Sequence, residues 1–193
     1  VLKELGPHSA NKKFAAIVAG KTLAFYRSHL QTPYIARFMP SLAAMYQKAV
    51  VGVSFPAEQD APAFGAFRGE VLELAAAAGS ALEIPEQLMA MITGLSGSGI
   101  AFAFAFIHGL AMGGVKTGLG YGQACEVAIQ VIEGAAAVLR GTQDTPANLI
   151  AKVCSPAGTT VAGIQALEEA AFTAALMRAV QQAAVRAEEL EGA

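Results

Sequence analysis

The hydrophobic pattern changes character at Pro85, and this change limits the folds open to the chain more than any other feature. Before it, short apolar runs alternate with helical spacing. Lys12–Gly20 reads as a buried strand ending in glycine, and Tyr34–Pro40, Ala49–Phe55 and Ala81–Ile84 read as three more strands. Between them, Thr22–Leu30 reads as a short helix with Thr22 as its cap. Pro62–Ala78 carries Phe64, Phe67, Val71, Leu74 and Ala75 at helical intervals, with Gly79 as its stop. Val1–Pro7 reads as the end of a helix, so the chain is expected to begin partway through a domain. Strands alternating with helices predict a parallel sheet.

After Pro85 the pattern is helical throughout. Glu86–Met112 reads as one long helix stopped by Gly113-Gly114. Tyr121–Leu139 carries Ala124, Val127, Ala128, Val131, Ile132, Ala135 and Val138 on one side. Thr145-Pro146 is a cap and proline opening a short helix to Val153. Two further helices are expected, from about residue 160 to 169 and from about 173 to 190. The fold class is therefore α/β followed by all-α, with an α/β part over residues 1–84 and an all-helical domain over 85–193.

Composition excludes several functions. Of the 193 residues 54% are hydrophobic, much of that alanine, and only 15% are charged. Small residues let helices approach closely, which predicts dense helix packing and a buried subunit interface. A net charge of −2 without a basic run argues against a nucleic-acid surface. The longest uncharged apolar run, Ile100–Val115, is shorter than the roughly 18–20 residues of a membrane span, and reads as a buried helix. Val1–Glu4 is charged and unlike a secretory leader. Two cysteines, Cys125 and Cys154, make no disulfide framework, so a cytoplasmic setting is expected. His8 and His29 show no metal-ligand spacing, and no metal is expected.

Chemistry concentrates at Ser155-Pro156-Ala157-Gly158-Thr159-Thr160, directly before an apolar run with helical spacing. This reads as a tight loop feeding a helix N-terminus, with Thr159 or Thr160 as N-cap. The first N–H groups of a helix lack internal partners and carry partial positive charge. Ser155, Thr159 and Thr160 add hydroxyls, and Gly158 lets the backbone come close. The residue types fit a carboxylate or phosphate cradle, or a well-capped helix with nothing bound. A dinucleotide fingerprint, G-x-G-x-x-G between strand and helix, is not found in these residues.

Ser155–Thr160 resembles the S-P-G-G-T-T segment of pyrroline-5-carboxylate reductases. Thr93-Gly94-Leu95-Ser96-Gly97-Ser98-Gly99-Ile100-Ala101-Phe102 is similar to that family's T-A/G-L-S-G-S-G-P-A-Y, and Gly114–Leu119 to its G-V-K-x-G-L. Ala170-Ala171-Phe172 and Arg186–Leu190 continue a match that is nearly colinear from Val1 to Leu190. The resemblance implies the second half of a Rossmann-like nucleotide domain followed by a helical dimerisation domain. The family's glycine fingerprint lies on an N-terminal part of the same sheet, about 60 or more residues of two βαβ units.

The implied reaction is reduction of 1-pyrroline-5-carboxylate to L-proline with NADP or NAD as cofactor. Ser155, Gly158, Thr159 and Thr160 are implied to hold the substrate carboxylate, and Ser96, Gly97, Ser98 and Gly99 to shape the pocket wall. Thr93 is implied as the catalytic partner of the ring nitrogen. Val18-Ala19-Gly20 and Met39-Pro40-Ser41 are implied to line the nicotinamide side of the cofactor cleft. Ala16 and Ser41 replace the family's usual serine and asparagine, Ala157 its first glycine and Ile100 its proline. In the family, helical domains pair across subunits and one chain's cradle completes another's site, so a homodimer or larger homo-oligomer is implied, with a small cyclic imino acid as ligand and neither nucleic acid nor membrane. Two other readings stand beside it: a relative reducing another small imine, and a non-catalytic helical dimerisation module. His108, where the family more often has an acidic residue, reads as a solvated or core histidine rather than a general acid.

Overall fold

A computed structural model describes residues 1–56 and 62–192. They divide into two compact units, Val1–Ile100 with Ala179–Ala193, and Ala101–Arg178. Every strand among the described residues precedes Ile84, and the structure from Glu86 on is helical.

The first unit opens with a short helix α1 (Leu2–Leu5) and then builds a four-stranded sheet: β1 (Phe14–Ala16), β2 (Ile35–Met39), β3 (Ala49–Ser54) and β4 (Gly79–Glu83), in that spatial order. Helix α2 (Leu23–Arg27) joins β1 to β2, and Thr22 caps it as expected, its hydroxyl accepting the Phe25 N–H at 3.1 Å. Helix α3 (Pro62–Ala77) joins β3 to β4 and presses Phe64, Phe67, Val71 and Ala75 onto the buried faces of Ala36, Phe38, Val51 and Val53. Leu74, expected on that face, is exposed.

Two expectations for the sheet are corrected. It is mixed rather than parallel: β1–β2 and β3–β4 run parallel, whereas β2 and β3 are antiparallel, with Phe38 opposite Val53. A parallel crossover needs about a dozen residues or more. The link from Pro40 to Lys48 is shorter and holds only the 3₁₀ turn Leu42–Tyr46, so the chain must return antiparallel. The first strand is also short and only half-buried; Ile17 and Val18 beyond it are exposed. Gly79 begins β4 at φ 148°, where a side chain would collide with the Ala49 backbone.

A near-continuous helical stretch follows Pro85: a 3₁₀ turn Glu86–Leu88, α4 (Met89–Ile92), a π-helical turn Thr93–Gly97 and α5 (Gly99–Lys116). Gly113-Gly114 does not stop it. Gly114 is instead the close-approach point for α6 (Tyr121–Gly141), since a Cβ there would sit 2.9 Å from the Ala124 Cβ. The stop comes at Gly118, with φ 109°. Helix α7 (Pro146–Val153) begins at Thr145, whose hydroxyl accepts the Asn148 N–H as the cap expected there. Helices α8 (Thr159–Glu169) and α9 (Phe172–Glu191) complete the chain.

Ile100–Val115 is not a buried helix within the single chain: of α5 only Ala111 is buried, and Phe104, Leu110 and Met112 are exposed. Two stretches, Glu86–Lys116 and Tyr121–Gly141, are long and apolar enough to cross a membrane by length and composition. Within the second unit the buried cluster is small: Ala111, Ala124 and Ala128, with Ile107, Val115 and Cys125 around them.

Candidate active site

The residues singled out in the sequence fall in three segments of the first unit and one of the second. Parallel pairing of β1 with β2, Ala16 beside Arg37, puts the residues following both strands at one sheet edge. Val18, Ala19 and Gly20 follow β1; Met39, Pro40 and Ser41 end β2 and lead away from it. This is the carboxyl-end edge where open α/β sheets bind ligands. Val18 and Ala19 are exposed, Pro40 and Ser41 half-buried, and Met39 buried. Gly20 is buried at φ 76°, and a Cβ there would lie 2.7 Å from the Leu190 Cβ, so this glycine serves the packing of α9. An apolar wall with open backbone beside it fits the nicotinamide end of a dinucleotide. The pyrophosphate cradle is not among these residues.

The third segment is the π turn. Thr93 O accepts the Ser98 N–H at 2.9 Å, the i to i+5 bond that defines such a turn. Thr93 Oγ1 donates to Met89 O at 2.8 Å, so its proton is committed and its oxygen remains an acceptor. Ser96 Oγ donates to Val50 O at 2.8 Å, anchoring the turn on β3. Close by, a Cβ on Gly52 would meet Ile92 Cγ2 at 2.8 Å, and one on Gly94 would meet the Ala184 N and Val180 O of α9 at 2.8 and 2.9 Å. These glycines allow sheet, turn and last helix to touch. Ser98 Oγ has no hydrogen bond among the described residues, and no heavy atom lies within 4 Å of a Cβ built on Gly99. Gly97 likewise has room, with Thr93 Cγ2 at 3.8 Å.

A buried ionic cluster in the first unit is announced by no local sequence pattern. Arg37, 1% exposed, donates from Nη2 to Glu191 Oε1 at 2.6 Å and from Nη1 to Glu86 Oε1 at 3.3 Å. The same Glu86 oxygen accepts the Leu23 N–H at 2.6 Å, at the start of α2. The neighbouring Tyr26 hydroxyl is buried without a partner among the described residues; burial pushes its pKa up while the Arg37 charge pulls it down. Sequence distance hid this cluster, because its members lie 49 and 154 residues apart.

In the second unit, Ser155–Thr160 is a turn opening α8, but its N-cap is Gly158 rather than Thr159 or Thr160. Gly158 N donates to Ser155 O at 3.0 Å, and Ala157 adopts φ 56° to close the turn. A Cβ on Gly158 would collide with Ser155 Oγ, so only glycine lets the serine hydroxyl stand at the helix mouth. With the cap one residue earlier than expected, both threonines lie in the first turn. The first helical bond runs from Ala162 N to Gly158 O. The N–H groups of Thr159, Thr160 and Val161, and the hydroxyls of Ser155, Thr159 and Thr160, have no partner among the described residues. Ser155 and Thr159 are exposed and Thr160 half-buried. Three oriented N–H groups and three hydroxyls, with the positive end of an eleven-residue helix behind them, can grip a carboxylate or a phosphate.

Upstream, Asp144 accepts from Lys152 Nζ at 2.5 Å, Asn148 Nδ2 at 2.9 Å and Thr145 N at 3.1 Å, tying both ends of α7. Lys152, then Asn148, hold its carboxyl below the usual carboxylate range. His108 is exposed on α5, 3.5 Å from the Tyr121 hydroxyl, and Cys154 is half-buried.

A four-stranded mixed sheet followed by a mostly helical region defines the class of fold, part of a Rossmann-like domain joined in sequence to a helical domain. Similarity to known proteins narrows this. Residues 86–190 match the family model "Pyrroline-5-carboxylate reductase dimerisation". The chain is 39% identical over 183 residues to a pyrroline-5-carboxylate reductase of Methanosarcina acetivorans, covering 94% of this chain and 66% of that protein. It is 33% identical to pyrroline-5-carboxylate reductase 3 of Xenopus laevis, covering 97% and 68%. Among solved structures, the 1-pyrroline-5-carboxylate reductase of Streptococcus pyogenes superposes with a TM-score of 0.87 at 27% identity, over 97% of this chain and 72% of that one. The NADP-bound Plasmodium falciparum pyrroline carboxylate reductase gives 0.89 at 23% identity, covering 99% and 76%, and supports the fold. The chain belongs to the pyrroline-5-carboxylate reductase family. It spans about two thirds of the length of these two curated relatives.

Proposed function

We propose that the complete protein reduces 1-pyrroline-5-carboxylate to L-proline, the last step of proline biosynthesis, with NADPH or NADH. The observation that carries this is the set of uncommitted donors at the mouth of α8, with Gly158 as cap and the hydroxyls of Ser155, Thr159 and Thr160 free of partners among the described residues, in a chain of this family. The roles follow from the chemistry. The first-turn N–H groups and hydroxyls bind the ring carboxylate and fix its orientation. Thr93 Oγ1, its own proton given to Met89 O, accepts the N–H of the protonated imine, the form in which the adjacent carbon is most electrophilic. Ser98, Gly97 and Gly99 leave space for the ring, and Ser96 pins their turn to the sheet. Val18, Ala19, Pro40 and Ser41 border the nicotinamide end of the cofactor, which supplies the hydride when bound, while the buried Gly20 and Met39 set the backbone that carries them.

We further infer that the protein works as a homo-oligomer, the helical domain beyond Pro85 being the dimerisation part and one chain's cradle serving another chain's site. The exposed Phe104, Met112, Val127 and Val131 support this: an apolar face of that extent on a soluble enzyme requires a cover. The test is an assay of the complete gene product with 1-pyrroline-5-carboxylate and each nicotinamide cofactor. Cofactor oxidation coupled one-to-one to proline formation is expected. No proline with either cofactor would overturn the reading, and turnover only of another cyclic imine would favour the paralogous reductase.

A further inference from the structure

The last turns of α9 touch two of the three site segments of the first unit and hold the strand that leads into the third. Leu190 packs on Gly20, whose missing side chain makes room for it. Glu191 holds Arg37, two residues before Met39. Val180 and Ala184 press on Gly94, next to Thr93. Arg37 in turn reaches Glu86, and Glu86 holds the Leu23 N–H beyond Gly20. A guanidinium this deeply buried, shared by two carboxylates from distant parts of the chain, fixes geometry through several directed bonds.

Resting on the reductase reading above, we propose that Val180–Glu191 is a strut latched by Glu191 on Arg37, and that Arg37 and Glu191 are positioning residues setting the hydride-transfer distance between the sheet-edge loops and the Thr93 turn. Neither residue belongs to the carboxylate cradle, so loosening the latch displaces the donor side relative to the ring nitrogen without weakening capture of the acid. Hydride transfer is sensitive to sub-ångström placement, whereas the cradle's grip is not coupled to it.

The test uses the complete gene product with Glu191→Gln and, separately, Arg37→Lys. Glu191→Gln keeps the side chain's length and an acceptor oxygen, with retained helix content checked by circular dichroism; Arg37→Lys keeps the charge but loses the planar fork that reaches Glu86 and Glu191 from separate nitrogens. A fall in kcat of roughly tenfold or more is expected in both variants. KM for the imino acid should stay within about threefold of wild type. A larger kinetic isotope effect from deuterated nicotinamide should accompany the loss, and in the cofactor-free variants amide hydrogen exchange should speed up in Val180–Glu191 while protection elsewhere is kept. Unchanged kcat per folded active site in Glu191→Gln, or a KM rise matching the kcat loss, would overturn the strut while leaving the reductase reading intact. Wild-type protein without the activity overturns the reductase reading and the strut's catalytic role together.

Discussion

The two units of this chain solve the burial problem differently. In the first, Phe38, Val51, Val53, Phe64, Phe67 and Val71 close over one another, and the aromatic rings of Tyr34, Phe55, Phe64 and Phe67 meet edge-on or stacked at 5.5–6.4 Å. In the second, the buried residues are three alanines, while valines, leucines and a phenylalanine face outward. Both are equally apolar to the eye as sequences. The first has its hydrophobic residues on faces that meet within the chain; the second has them on long helices whose close approaches use alanine and glycine, leaving the bulky residues for something else. The first unit thus buries its bulky side chains within the chain, and the second leaves them exposed in a stretch that matches a dimerisation family model.

Substitutions in the two units should act differently. Phe67→Ala in the first unit removes a fully buried ring and should lower unfolding stability by about 3–5 kcal/mol. Denaturant titration would read it; a loss near zero would mean the sheet packing is not what holds that unit. Val131→Asp on α6 should have a different signature. Val131 is 54% exposed in the single chain, so the variant should keep its helix content yet weaken self-association by about 2 kcal/mol or more, the cost of burying a carboxylate where a valine packed. Sedimentation velocity across a dilution series measures this. An oligomer as tight as wild type would show that this face is not the cover.

The smallest expected effect sharpens the picture near the cradle. Asp144 has its pKa depressed below 3.8 by Lys152 and Asn148. A depressed carboxylate contributes stability above its unfolded pKa and loses it as pH falls through the folded one. Asp144→Asn should therefore be slightly less stable than wild type at neutral pH, with the gap closing below about pH 3.8. Thermal unfolding at a series of pH values checks the sign; a gap that widens on acidification would contradict the ion pair with Lys152.

What could be read in the sequence was local. Thr22 and Thr145 announce their helices because a hydroxyl caps an N–H three residues on, within one turn. The Phe64–Ala75 face is visible through its spacing, and the three-motif resemblance carried the family. What failed was set by distance or by space. The antiparallel β2–β3 return follows from a link too short for a crossover. Gly113-Gly114 looked like a stop because glycine's usual cost hides its use, the room it gives Ala124. The cap moved to Gly158 because Ser155 occupies the space a side chain would need. Arg37, Glu86 and Glu191 gave no signal, since no local pattern links residues so far apart.

The mouth of α8 remains the point on which the functional account turns. Steady-state kinetics of the complete protein carrying Ser155→Ala and Thr160→Ala tests it directly, since both changes remove hydroxyls without touching the backbone. KM for 1-pyrroline-5-carboxylate should rise by at least about tenfold, with helix content retained and cofactor KM unchanged. Kinetics indistinguishable from wild type would contradict it.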